Sequence, residues 1–241
     1  NIELRRKETV PSEMIGGSAA FRAMQGQLDK VTKSNGRVML SGPSGSGKES
    51  AARYIHSNSN RAAAPFVTVG CAAIEPDQME NVLFGRESPE KGVEMGLLEE
   101  ANGGIIYFDE IADMPLGTQS KILRVLVDQQ FLRVGGANKV KVDLRVVSST
   151  SKNLESEVSA GRFREELYHR LNVVPIAVPS LEDRREDIPL LAQHFIERLN
   201  KDQGLAQRVV SEEALALLQT MTWPGNLRQL KNMIERLLIL G

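Results

Sequence analysis

Cysteine is nearly absent: Cys71 is the only one among 241 residues. A lone thiol cannot close an internal disulfide, so a reducing compartment, the cytoplasm, is the expected setting. No apolar run approaches the roughly 18 residues that a membrane-spanning helix needs, so no such helix is expected in these residues. The first ten residues, Asn1–Val10, mix charges and hold no signal-peptide core. An excess of one charge is missing too, since 30 Lys and Arg face 31 Asp and Glu. That balance leaves no basic footprint for a phosphate backbone, so direct DNA contact by this chain is not expected. His56, His169 and His194 lie far apart without ligand spacing, so no histidine metal site is expected.

What the chain does have is a 41% hydrophobic fraction, normal for a globular core. The apolar residues fall into short runs. Arg37–Ser41, Phe66–Val69, Ile105–Phe108, Leu144–Ser148 and Val173–Ala177 read as buried strands. Helical spacing separates them, as in Thr118–Gln129, where Ile122, Leu123 and Leu126 share one face. Strands alternating with helices predict an α/β fold, a parallel sheet flanked by helices. Phe131–Val142 breaks this rhythm, and its Gly135-Gly136 pair predicts a hairpin. Beyond Ser180 the pattern becomes helical, over Asp187–Asn200, Ser211–Thr220 and Asn226–Leu240. Ser211 is the expected N-cap of the middle helix, with Glu213 behind it in the first turn. The expected organisation is a linker over 1–12, an α/β unit over 13–179 and a small helical unit over 180–241.

Two motifs carry chemistry. Gly42-Pro43-Ser44-Gly45-Ser46-Gly47-Lys48 follows a predicted strand and opens a predicted helix. Glycines let successive N–H groups turn around phosphate oxygens, and Lys48 can reach the β and γ phosphates. Glu49 stands where the general pattern has the Ser or Thr that ligands magnesium. The second motif, Ile105-Ile-Tyr-Phe-Asp109-Glu110, ends an apolar strand in two carboxylates. Asp109 suits the metal, and Glu110 suits a water that attacks the γ phosphate. Taken alone, the first motif could be a glycine-rich turn with an incidental lysine, and the second an ordinary solvated loop start.

Three further segments narrow the family. Phe163-Arg-Glu-Glu-Leu-Tyr-His-Arg-Leu171 resembles the paired arginine-finger helix of the AAA+ domains of sigma-54 activators, the NtrC family of response regulators. Leu181-Glu-Asp-Arg-Arg-Glu-Asp-Ile188 is similar to the opening of their lid, and Trp223-Pro-Gly-Asn-Leu-Arg-Gln-Leu230 to their second sensor. Glu49 is usual in that family. The resemblance runs from about Glu13 to Gly241 and is nearest to the nitrogen-related alphaproteobacterial branch. It implies an AAA+ P-loop fold with a C-terminal helical lid that binds ATP or ADP with Mg2+.

Residue by residue, the resemblance implies that Ile15 and Gly16 border the adenine, with Ile188 facing it from the lid. Gly42, Pro43, Ser44, Gly45, Ser46, Gly47, Lys48 and Glu49 would hold the phosphates, and Arg228 would reach them from the lid. Asp109 would hold Mg2+, with Glu49 as a second ligand. Thr150 takes the place of the first sensor. Arg164 and Arg170 would enter a neighbouring subunit's site, so hydrolysis by a weak Mg-dependent ATPase would occur at subunit interfaces of a ring or lower oligomer. As a plain surface feature, the two arginines would only form ion pairs. A receiver domain, its histidine kinase and a helix-turn-helix DNA-binding domain are implied partners, as is RNA polymerase, and the chain ends suit a central fragment.

This chain departs from the family in three places. Phe84-Gly-Arg-Glu-Ser-Pro-Glu-Lys-Gly-Val-Glu-Met-Gly96 replaces the loop that carries GAFTGA, and lacks its aromatic and threonine. Sigma-54 remodelling by the usual route is therefore not expected. Gly70 stands where the family usually has the Asn that holds the catalytic glutamate, which predicts that this coupling is lost or rerouted. Ser151 stands where an Asn usually lies beside the first sensor. The alternatives to a regulatory ATPase are a module that binds nucleotide without turnover and a motor acting on another partner.

Overall fold

All five apolar runs become strands of one parallel sheet. The computed structural model describes residues 14–90, 92–203 and 210–240; the linker expected over 1–12 lies outside the described residues. The order begins with α1 (Ala19–Thr32), β1 (Val38–Ser41), α2 (Lys48–Ser57), β2 (Phe66–Gly70) and α3 (Met79–Phe84). Next come β3 (Arg86–Ser88), β4 (Gly92–Glu94), α4 (Leu97–Glu100), β5 (Ile105–Asp109) and α5 (Leu116–Asp128). A second hairpin, β6 (Gln130–Leu132) and β7 (Lys139–Lys141), precedes β8 (Arg145–Thr150), α6 (Leu154–Ser159), α7 (Glu165–Leu171) and β9 (Val174–Ala177). The helices α8 (Ile188–Gln203), α9 (Glu212–Thr220) and α10 (Asn226–Leu240) follow.

The sheet order is β2-β5-β8-β1-β9, with every pairing parallel. A strand's period of two sends alternate side chains to opposite faces. Val38, Leu40, Ile105, Tyr107 and Val147 meet α1 and α2 on one side. Met39, Ile106, Phe108 and Val146 meet α3, α5 and α7 on the other. Both faces are therefore buried, as parallel sheets require. Pro175 is tolerated because β9 is an edge strand, where a missing N–H costs no ladder bond. The ends of β1, β5 and β8 lie side by side, with Ser41 opposite Thr150, and so open one crevice at their carboxyl ends.

The last three helices enclose their own core of Leu181, Ile188, Leu191, Trp223, Leu230 and Ile234. Ser211 caps α9 by accepting from the Ala214 N–H, with Glu212 and Glu213 in the first turn. Trp223 is buried, and its indole donates to the Leu218 carbonyl at 2.9 Å. Among the described residues no helix is long and apolar enough to cross a membrane.

Three sequence expectations change in detail. The helix expected over Thr118–Gln129 starts earlier, at Leu116, and ends at a left-handed Gln129. The helix expected from Phe163 begins at Glu165, so Arg164 sits outside it in an extended N-cap conformation. Its backbone N–H donates to the Gln119 side chain, which holds it out of the helical turn. The 84–96 segment contains an antiparallel hairpin, β3 with β4, rather than a free loop. Glu87 donates its N–H to Val134, and the Arg133 guanidinium binds Glu87 and Glu99, so this hairpin is stitched to the β6–β7 connection.

A buried carboxylate ties the start of the fold to the helical unit. Asp187 Oδ1 accepts the N–H groups of Gly17 and Ser18 at 2.7 and 2.9 Å, and Oδ2 accepts the Ser18 hydroxyl and Arg184 Nε at 2.7 and 2.9 Å. Burial alone would raise this carboxyl's pKa; the N–H and hydroxyl donors and Arg184 outweigh it and hold the group below its ordinary range. Its stabilisation is therefore present above the unfolded value near pH 3.9 and is lost as pH falls through the depressed folded value. Asp187→Ala leaves Arg184 buried without its partner and should cost about 3–5 kcal/mol in chemical denaturation. An unchanged midpoint would show that this clasp contributes nothing.

Candidate functional site

The crevice at the strand ends is lined first by the connection from β1 to α2. Gly45 and Gly47 adopt positive φ values of 76° and 103°, which glycine reaches at little steric cost. At Gly45 a Cβ would also lie 2.4 Å from the Gly225 carbonyl oxygen, so the helical unit packs too close for any side chain. The Gly42 N–H donates to the Thr150 carbonyl at 3.2 Å, anchoring the loop to β8. The turn brings Lys48 inward, where its side chain is only 5% exposed. Its ammonium donates to the carbonyls of Gly42 and Pro43 at 2.8 and 3.2 Å and lies 3.1 Å from Glu110 Oε1. Ser46 Oγ is buried in the same loop without a hydrogen-bond partner among the described residues. A buried unpartnered hydroxyl and a buried ammonium on one glycine-rich loop fit a phosphate oligoanion.

The second wall comes from β5 and β8. Glu110 has a positive φ of 52°, which turns its carboxylate back over the loop. Its Oε2 accepts both the N–H and the hydroxyl of Ser151, at 2.8 and 2.9 Å. Burial would raise the Glu110 pKa, but the Ser151 N–H, Lys48 and the Ser151 hydroxyl outweigh it and keep the group an anion. Ser151, across β5 from Gly70, thus holds this glutamate. Asp109 Oδ1 accepts the hydroxyls of Tyr107 and Ser149 at 2.8 and 2.7 Å. Among the described residues no group of three His, Cys, Asp or Glu side chains could hold a metal by itself. Asp109, the strand-end carboxylate beside the phosphate loop, suits magnesium, which takes one or two carboxylates and completes its shell with phosphates and water.

The remaining expected site residues have these surroundings. The Thr150 hydroxyl is spent on a local turn, accepting the Lys152 N–H at 3.0 Å. Glu49 pairs with Arg53 one helical turn on, at 2.8 Å, so its carboxylate is already engaged. Ile15 packs against the cluster that contains Ile188, while the Ile15 carbonyl accepts from Arg184. Gly16 lies under that guanidinium, leaving no room for a Cβ. Cys71 is buried, and burial, with Asp109, Asp113 and Glu110 nearby, pushes its thiol pKa up and leaves it inert.

The helical unit reaches the loop directly. Arg228 Nη1 donates to Ser44 Oγ at 3.2 Å. Asn226, which sequence reasoning passed over, is 2% exposed with a positive φ of 51°. Its amide donates to the Ser44 carbonyl at 3.0 Å and accepts from Leu181 N–H at 2.7 Å, while Leu227 N–H donates to Gly45 at 3.0 Å. Arg164 and Arg170 lie outside this cluster. Both are exposed, and neither makes an ion pair among the described residues; the Arg164 side chain donates to the Leu116 carbonyl.

Comparison with known proteins places this geometry. Residues 14–177 match the sigma-54 interaction domain, and residues 182–241 match the AAA+ ATPase lid domain. The chain is 53% identical over 234 residues to the nitrogen assimilation regulatory protein NtrX of Azorhizobium caulinodans, covering 97% of this chain and 52% of that protein. It is 43% identical to the response regulator protein PilR of Pseudomonas aeruginosa, covering 98% and 55%. Crystal structures of Brucella abortus NtrX in complex with ATP and with ADP superpose with a TM-score of 0.90 each. Their identities are 53% and 51%, with 95% and 99% of this chain covered and 50% and 54% of theirs. The chain thus spans about half the length of the relatives it matches.

Lys48 is the test of the phosphate site. Lys48→Ala should weaken ATP binding, followed calorimetrically, by roughly 10- to 100-fold, the worth of hydrogen bonds to a charged group. Equal affinity in both proteins would remove the loop from the nucleotide site.

Proposed function

This chain belongs to the sigma-54 interaction family of AAA+ ATPases, and from that premise we propose that it is the ATP-binding oligomerisation core of a nitrogen-related, transcription-controlling response regulator. The observation that carries the proposal is the convergence of Lys48, Glu110 and the Ser44 contacts of the lid on one phosphate loop. The solved relatives with ATP and ADP support nucleotide as the ligand. Asp109 supports Mg2+ as the cation, which would supply charge neutralisation at the β and γ phosphates. Glu110, held as an anion, would orient or deprotonate the attacking water.

The exposed, unpaired state of Arg164 and Arg170 supports a role across a subunit boundary, stabilising charge in a neighbouring site. Hydrolysis would then require assembly. The receiver and helix-turn-helix domains of a longer chain would supply the kinase input and the DNA contact, in the cytoplasm. Sigma-54 remodelling by the usual loop is not part of this reading, because the β3–β4 hairpin lacks the GAFTGA residues and is stitched to its neighbour.

A second reading, nucleotide as a conformational ligand with negligible turnover, draws on Glu110 being engaged by both Lys48 and Ser151. ATP turnover across a wide range of protein concentration separates the two. Turnover per subunit that rises with concentration supports a shared active site; firm binding with flat, negligible turnover supports the second reading.

Arg164→Ala and Arg170→Ala should each lower turnover by about 1,000-fold while leaving nucleotide affinity intact, the usual worth of such an arginine. Mixing either variant with an Asp109→Ala variant should restore activity in the mixed assemblies. Co-assembly without restoration argues that the arginines do not act in trans.

A further inference from the structure

The strand pairing brings three polar side chains onto one face of the sheet. Tyr107 and Asp109 are two residues apart on β5, and Val147, the partner of Tyr107 on β8, lies two residues before Ser149. Tyr107 and Ser149 are both fully buried. The Tyr107 ring stacks on Phe66 with centroids 6.0 Å apart, which leaves its hydroxyl little freedom to move. That hydroxyl lies 2.8 Å from Asp109 Oδ1 and 2.9 Å from Ser149 Oγ. Ser149 Oγ donates to the same Asp109 oxygen at 2.7 Å and accepts the Glu110 N–H at 3.2 Å. Both donors meet Asp109 at Oδ1, and neither touches Oδ2.

We propose that Tyr107 and Ser149 are positioning residues for a divalent cation at Asp109, holding its carboxylate by Oδ1 so that Oδ2 is presented to the metal. A carboxylate at the end of a strand has two side-chain torsions to lose when it ligates a cation. Hydrogen bonds from rigid, buried donors remove that freedom beforehand, and partners of this kind carry much of a metal site's affinity. Ser149 adds a second function through its hydrogen bond to the Glu110 backbone, so one hydroxyl aligns both acids of the strand end. A core tyrosine needs only some acceptor for its hydroxyl. Here the acceptor is the single strand-end acid suited to the metal, shared with a second buried donor.

The inference rests on the reading of Asp109 as a magnesium ligand, and the test separates the two. ATP affinity is measured calorimetrically in excess chelator and across a Mg2+ series, with thermal unfolding in parallel, for the parent, Tyr107→Phe, Ser149→Ala and Ser149→Thr. Tyr107→Phe keeps the ring and deletes only the hydroxyl. It should raise the Mg2+ concentration for half-maximal enhancement by about 10-fold, with unchanged affinity in chelator and an unchanged unfolding midpoint. Ser149→Ala should do the same, and Ser149→Thr, which restores a hydroxyl, should return the Mg2+ requirement toward the parent's. An unshifted Mg2+ requirement in both hydroxyl deletions overturns the proposal, as does an equal loss of affinity in chelator. A parent protein without any Mg2+ enhancement overturns the metal reading itself, and that outcome is visible before any variant is compared.

Discussion

A buried ammonium needs partners, and the arrangement around Lys48 follows from that requirement. Removing a charge from water costs several kcal/mol unless hydrogen bonds and an opposite charge compensate. Two loop carbonyls and Glu110 do so here. The carbonyls reach the ammonium because Gly45 and Gly47 bend the loop through conformations that other residues resist. Glu110 reaches it because β5 ends at the mouth of the loop and the next residue turns left-handed. The same lysine that suits a phosphate is thus neutralised from within by the acid that suits the attacking water. In the proposed function, an incoming triphosphate would compete for that ammonium and change the surroundings of Glu110.

The lid is tied to the loop through backbone and side chain together. Asn226 and Leu227 bind the carbonyls of Ser44 and Gly45, and Arg228 binds the Ser44 hydroxyl. A second tie, Asp187 on the Gly17–Ser18 backbone, joins the lid opening to the segment that carries Ile15 and Gly16. Packed interfaces with two such anchors do not deform gradually. The loop is thus joined to α10, and the lid opening before α8 to the segment expected to border the adenine. In the proposed function, these few contacts are what would couple nucleotide state to lid position.

Much of this was legible in the chain. The five strands were visible because a buried parallel sheet demands unbroken apolar runs, and the hairpin at Gly135 because a tight turn demands glycine. Lys48 stood out because it follows a glycine-rich loop at the start of a helix, and Asp109 and Glu110 because two carboxylates end an apolar strand. Ser211 announced its helix because an orphan N–H at a helix start needs an acceptor. Less was legible where a residue's role depends on what lies beside it. Gly70 offers Glu110 no side-chain partner, and only the tertiary placement of Ser151 shows which group holds it. The family resemblance put Arg164 on a helix, yet it is the extended N-cap, with its N–H bonded to Gln119, distant in sequence.

The sequence by itself determined the α/β architecture, the phosphate loop and the family, since these rest on local periodicity and on motifs whose chemistry tolerates few substitutes. The tertiary structure alone decided which hydroxyls hold Asp109, which serine holds Glu110, and how Asn226 and Asp187 join the lid to the rest. Each of those contacts links segments brought together by strand register or helix packing. A hydrogen bond depends on distances of tenths of an ångström, which spacing along a chain does not encode.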